Sequence, residues 1–307
     1  MNWKTLLKQQ GVLVSDGAWG TQLAERGLPA GTVPETWNAD HPDAVEAVAR
    51  AYVEAGSSVI LTNTFGGSRL KLAKAGLADR VADLNRRGVE ISRRAAGDRA
   101  LVLASIGPTG ELLAPLGTLG RDEFIDVFAE QIAACIEGGA HGVCIETMAA
   151  LEEAEAALLA ARQVAAMPVV VSMTFSQGPK GFATMMGVRP EQAAAALTDA
   201  GADIVGSNCG NGIAGMIEVA RGFRAATDLP LWLKPNAGMP RLVGDKTVFP
   251  ESPDEMAGKV AALVEAGANF VGGCCGTTPA HIRAMAAAAR QARETALTVS
   301  RKVLDTL

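Results

Sequence analysis

The chain has 307 residues, 49% of them hydrophobic and only 4% aromatic, with one tyrosine, five cysteines and a net charge of −5. That length allows one large α/β domain or two small ones. An acidic balance without a basic stripe argues against nucleic acid as a partner, and no apolar run approaches the ~20 residues of a membrane span. Residues 1–10 lack the apolar core of a secretory signal, and five scattered cysteines suit a reducing cytoplasm better than a disulfide framework.

Short apolar runs recur at 12–15, 58–63, 100–105, 142–146, 169–174, 203–207, 231–234 and 270–273. Continuous apolar runs of this length predict strands buried on both faces. Helical patterns alternate with them at 42–55, 68–96, 121–138, 151–165, 190–200, 213–226, 253–266 and 279–295. Several of these end at a glycine just before the next strand (Gly56, Gly139, Gly201, Gly267), as helix C-caps do. Eight strand–helix units predict a single (β/α)₈ TIM barrel over 1–307, with a helical tail at about 296–307. The alternative is a doubly wound open sheet, for which the Gly-rich dinucleotide fingerprint is missing. The stretch 239–250 reads as a polar, mobile loop at the barrel mouth.

In such a barrel chemistry gathers where strands end. Strand one ends in Asp16-Gly17, strand two in Thr62-Asn63-Thr64-Phe65, and strand four in Glu146-Thr147. Strand six ends in Asn208-Cys209-Gly210, and strand eight in Gly272-Gly273-Cys274-Cys275-Gly276. Three thiolates with one position left open make a working zinc site, one suited to activating an incoming thiol. The flanking glycines permit the turn that adjacent ligands need. Competing readings are a redox pair at Cys274–Cys275 and cysteines serving as small core hydrophobes, the latter favoured for Cys135 and Cys144. Asp16 and Glu146 are acids closing apolar strands, so each calls for a cationic partner: a substrate ammonium, an internal arginine or a backbone cap. Backbone N–H groups after Asp16 and near Thr64 would suit a substrate carboxylate. Together these groups describe an amino-acid thiol. His41 and His141 offer little as ligands, and His281 is expected at the surface.

These motifs resemble the homocysteine S-methyltransferases: the homocysteine-binding module of cobalamin-dependent methionine synthase and its relatives that use betaine or S-methylmethionine. The resemblance runs from about 10 to 290 and rests on the segments 16–21, 62–66, 145–147, 207–210, 234–238 and 272–279. It implies a cytoplasmic zinc methyltransferase of methionine biosynthesis, with Cys209, Cys274 and Cys275 as zinc ligands and as the catalytic set. Asp16 and Glu146 would contact the homocysteine amine, with Thr64, Phe65 and Asn208 completing the substrate site. The implied methyl donor is small or protein-bound: a sulfonium, or a methyl-corrinoid carried by a partner protein. A betaine enzyme and a non-catalytic zinc-binding barrel are the alternatives. Against betaine, Thr32, Gly66 and Thr147 stand where the betaine relatives carry aromatic rings, leaving Trp19, Trp37 or Phe175 as substitutes. The C-terminal dimerisation extension of those relatives is missing, as are the cobalamin signature Asp-x-His-x-x-Gly and room for a folate domain.

Overall fold

A computed structural model describes residues 2–244 and 246–304. Eight parallel strands form the barrel. They are β1 (Leu13–Val14), β2 (Val59–Ile60), β3 (Leu101–Ile106), β4 (Gly142–Met148), β5 (Val169–Met173), β6 (Ile204–Asn208), β7 (Leu231–Lys234) and β8 (Ala268–Val271). From β2 to β8 each strand pairs with the next in sequence, and β8 returns to β1 through Leu13 opposite Phe270. The β1–β2 seam is held by the Ser58 N–H, which donates to Val14 O at 2.7 Å. Among the described residues no doubly wound sheet is present.

Alternation along the strands divides two cores. Outward residues such as Val102, Ala104 and Ile106 of β3 pack under the helices. Inward residues, among them Leu101, Leu103, Cys144, Val170, Trp232 and Phe270, fill the lumen. The N-terminal helix Trp3–Gln10 closes the lumen from below: Trp3, Leu6 and Leu7 pack on that layer, with Trp3 6.1 Å from Phe270 between ring centroids.

Two residues further along, the inward position turns polar. Leu103 gives way to Ser105, Cys144 to Glu146, Val170 to Ser172 and Trp232 to Lys234, and all four polar residues are buried. A period-two step of the strand thus lays a polar floor on an apolar plug, at the strand ends where the loops begin.

The expected C-cap glycines adopt the left-handed backbone, with Gly56 at φ +104° and Gly267 at +112°. Three expectations change. The pattern 68–96 is interrupted: Arg69–Ala73 stops before Gly76, at φ +71°, and the chain resumes through Ala78–Arg80 into Val81–Ala96. The pattern 253–266 divides into Pro253–Ala257 and Val260–Glu265. The stretch 239–250 contains an antiparallel hairpin, Arg241–Val243 against Lys246–Val248, and it exposes Met239, Leu242 and Val243. A second hairpin, Ser176–Gly178 against Gly181–Ala183, follows β5. The last helix runs Pro279–Leu304, so it takes in most of the expected tail, whose residues 305–307 lie outside the described ones.

Candidate metal and substrate site

Cys209 follows β6, and Cys274 and Cys275 follow β8. Their sulfurs all lie within 4.8 Å of one another, with Cys209 Sγ and Cys275 Sγ 4.0 Å apart. Zinc–sulfur bonds of about 2.3 Å in a tetrahedron place sulfurs about 3.8 Å apart, so the trio has the right spacing for one ion. Among the described residues, no fourth histidine, cysteine or acid joins the group.

The backbone is bent to achieve this. Cys209 has φ +61°, a conformation costing a non-glycine residue about 1–2 kcal/mol. Its N–H donates to Lys234 O at 3.1 Å, and the Cys274 N–H donates to Pro235 O at 2.8 Å, so the end of β7 ties both cysteine turns together. Gly273 is required by close approach: a Cβ there would lie 2.3 Å from Thr277 Oγ1. The Thr277 hydroxyl in turn donates to Cys274 O at 2.7 Å and accepts from the Ala18 N–H at 3.1 Å.

The thiols are electrostatically unlike. Hydrogen bonds from Cys274 and Cys275 pull Cys209 far below the ordinary thiol range, and the same bonds push its two neighbours up. No disulfide is formed. Cys135 and Cys144 are fully buried, as expected of core thiols, and burial pushes Cys135 up to about 12.

Asp16 is fully buried, and its carboxylate is already occupied. Oδ1 accepts from Lys234 Nζ at 2.6 Å and from Ser15 Oγ at 3.0 Å; Oδ2 accepts from Trp19 Nε1 at 2.8 Å and from the Leu61 N–H at 2.7 Å. Asp16 therefore has its cationic partner inside the chain, and its last contact helps to close the β1–β2 seam. Glu146 differs. It accepts from Ser105 Oγ and lines the cavity. Burial raises its pKa, with Lys234 and the Ser105 hydrogen bond opposing the rise. Burial also works against charge on Lys234, yet Asp16 and Glu146 outweigh it and hold the ammonium charged.

Asn208 is locked by the Thr147 N–H (2.8 Å) and Ser172 Oγ (2.7 Å), both donating to Oδ1. Its Nδ2 reaches Thr147 Oγ1 at 2.7 Å and lies 3.7 Å from Cys274 Sγ, so it steadies the metal side of the site. Thr64 is fully buried, its hydroxyl donating to Ser105 O at 2.7 Å, whereas Phe65 lines the cavity. The backbone donors expected for a carboxylate are partly committed: the Ala18 N–H goes to Thr277, and the Gly66 N–H goes to Glu35. His281 is buried rather than exposed. Nδ1 accepts from the Thr278 N–H at 3.1 Å and Nε2 donates to Glu251 O at 3.0 Å.

A cavity of about 690 Å³ joins these groups, its wall including all three cysteines, Glu146, Lys234 and Phe65. Thr32, Gly66 and Thr147, the ring-less positions, line it too, as does Trp19. Trp37 and Phe175 are buried, the latter edge-on to Phe223 at 5.7 Å, and neither belongs to this wall. Sequence reasoning missed Lys234, Ser105 and Ser172. The signal was available: each stands two residues beyond an inward apolar position.

The homocysteine S-methyltransferase family model matches residues 13–289. The methionine synthase of Mycobacterium leprae (strain TN) is 36% identical over 302 residues, covering 91% of this chain and 24% of that protein. That of Mycobacterium tuberculosis (strain ATCC 25618 / H37Rv) is also 36% identical, with 91% and 25% covered. The chain thus spans about a quarter of the length of these two relatives. The metallated form of the Escherichia coli homocysteine methyltransferase MmuM superposes with a TM-score of 0.79 at 24% identity, covering 92% of this chain and 98% of that one. That last likeness is one of fold, a barrel with the same strand–helix alternation. The match along nearly the whole barrel, cysteine turns included, makes this chain a member of the homocysteine S-methyltransferase family.

Proposed function

We propose that the chain moves a methyl group onto the thiol of homocysteine, giving methionine in the cytoplasm, with Zn²⁺ held by Cys209, Cys274 and Cys275. The observation that carries this reading is the convergence of three sulfurs within 4.8 Å on the wall of a cavity that also contains Glu146. The donor set suits zinc, and three protein ligands leave a position for a fourth from outside. Bound zinc would supply the positive charge that keeps an incoming thiol deprotonated at neutral pH. The E. coli relative MmuM has a metallated form, which agrees with a metal here.

The chain's own residues do the remainder. Glu146, held by Ser105, takes the homocysteine ammonium. Asp16 acts through Lys234: it holds the Lys234 ammonium in place, and that ammonium opposes the rise in the Glu146 pKa, favouring the carboxylate form that a cationic substrate needs. Asn208 and Thr147 hold the β4 and β6 ends in register, so that sulfur and amine sites keep a fixed separation. Aligning the thiol with the donor methyl then contributes through positioning. The donor is a small sulfonium or a methyl-corrinoid carried by a partner protein; the missing rings at Thr32, Gly66 and Thr147 count against betaine.

The test is metal content together with homocysteine-dependent methyl transfer from a panel of donors. C209A, C274A and C275A should each lose zinc and turnover together, whereas E146Q should keep zinc and raise the KM for homocysteine at least tenfold. Full turnover in a metal-free variant sinks the reading, and an unchanged KM removes Glu146 from it.

A further inference from the structure

The cavity has a second charged end. Following the order of the barrel, β2 lies diametrically across from β6, so the wall beyond β2 faces the Cys209 turn. That wall contains Phe65, Gly66, Glu35 and Lys71. The Lys71 side chain comes from the short helix Arg69–Ala73 and leans over the Phe65 ring, with Nζ 4.7 Å from the centroid. Burial lowers its pKa, opposed by the fields of Glu35 and Glu153.

Neither acid forms an ion pair with it. Glu153 is turned to Thr109, accepting at one oxygen from the N–H at 2.8 Å and the hydroxyl at 2.7 Å. Glu35 accepts from the Gly66 N–H through one oxygen, while its other oxygen is buried without a partner. A half-buried ammonium on a cavity wall, steadied by an aromatic face and by the fields of two acids that do not pair with it, is incompletely compensated. An anion entering the cavity would complete it.

Resting on the methyl-transfer reading, we infer that Lys71 is the specificity-determining residue of the donor subsite, where its ammonium takes a carboxylate of the methyl donor. The placement fits two substrates in one cavity. Homocysteine, with its sulfur at the cysteines and its amine at Glu146, occupies the β4–β6–β8 side. A donor reaching in from the β2 side directs its methyl toward the sulfur while its carboxylate stays at Lys71. Phe65 and Trp19 belong to the wall along that path.

Two donors that differ by one carboxylate test this: dimethylsulfonioacetate and trimethylsulfonium. Their affinities are measured by calorimetry on zinc-loaded protein without homocysteine, so that no turnover occurs. The wild type should hold dimethylsulfonioacetate at least tenfold more tightly. K71M should bring the two to equal affinity and K71R should keep the preference, zinc content and circular dichroism confirming that both variants are folded. Equal binding by the wild type, measurable binding of neither compound, or a preference surviving in K71M overturns the assignment. So does a K71M defect in homocysteine affinity rather than in donor discrimination, which would move the carboxylate contact to the other substrate. A Lys71-dependent preference without methyl transfer to homocysteine from any donor would leave the subsite standing and sink the methyltransferase reading instead.

Discussion

Lys234 sits at the second inward step of β7, where the lumen changes from apolar to polar. It is 3% exposed, and Asp16 is not exposed at all, so their 2.6 Å contact is a desolvated ion pair. Removing one member of such a pair leaves the other charge buried alone, at a cost of about 3–5 kcal/mol. K234M should therefore lower stability by that order in denaturant melts. D16N in the K234M background should recover part of the loss, because asparagine still accepts from the Leu61 N–H and no longer carries an unpaired charge. Additive losses in the double variant would show that the two residues do not act as a pair. An acid at the end of a strand was legible from the chain alone, and so was its need for a cation. Which cation was not: Lys234 is 218 positions away and becomes a neighbour only when β7 and β1 take their places around the barrel.

The cysteine turns depend on the elements behind them. The last helix begins at Pro279, four residues after Cys275, and His281 serves as its cap: Nδ1 accepts from the Thr278 N–H, as the third-position glutamate does in a capping box. The same ring donates to Glu251 O, pinning the strand-seven loop to the strand-eight helix. Nearby, Phe249 packs so tightly on Gly276 that a Cβ there would lie 2.2 Å from its ring. H281A loses both links and should cost about 1–2 kcal/mol in thermal or chemical melts. Stability unchanged within a few tenths of a kcal/mol would remove the ring from this role. Helix starts and glycine stops were readable because they are local. The histidine was misplaced at the surface because its second partner, Glu251, belongs to a loop whose path no local pattern fixes. The hairpin 241–248 escaped for the same reason: each strand is three residues long, too short for an alternation signal.

At the scale of the molecule, the barrel was legible because eight parallel strands, each buried on both faces, write eight apolar runs into the chain, and the spacing between runs leaves room for one covering helix each. The site was legible as motifs and not as distances. Three cysteines at two strand ends indicate a metal only if β6 and β8 both flank β7, which the strand order confirms. That arrangement would make a metal held there a clasp across the C-terminal face, joining the end of β6 to the end of β8, two turns already linked through the backbone of Lys234 and Pro235. A ligand that binds only the folded chain stabilises it by about 2.7 kcal/mol at a free concentration a hundred times its Kd. At roughly 2–4 °C per kcal/mol for a chain of this size or somewhat smaller, zinc should raise the melting temperature by about 5–10 °C. The measurement is a thermal melt of zinc-loaded protein beside the same protein stripped by a chelator, repeated with C209A. The shift should appear in the wild type and vanish in the variant. An equal shift in C209A would place the stabilising metal elsewhere, and no shift in protein shown to carry one zinc per chain would mean that the clasp contributes nothing to holding the barrel together.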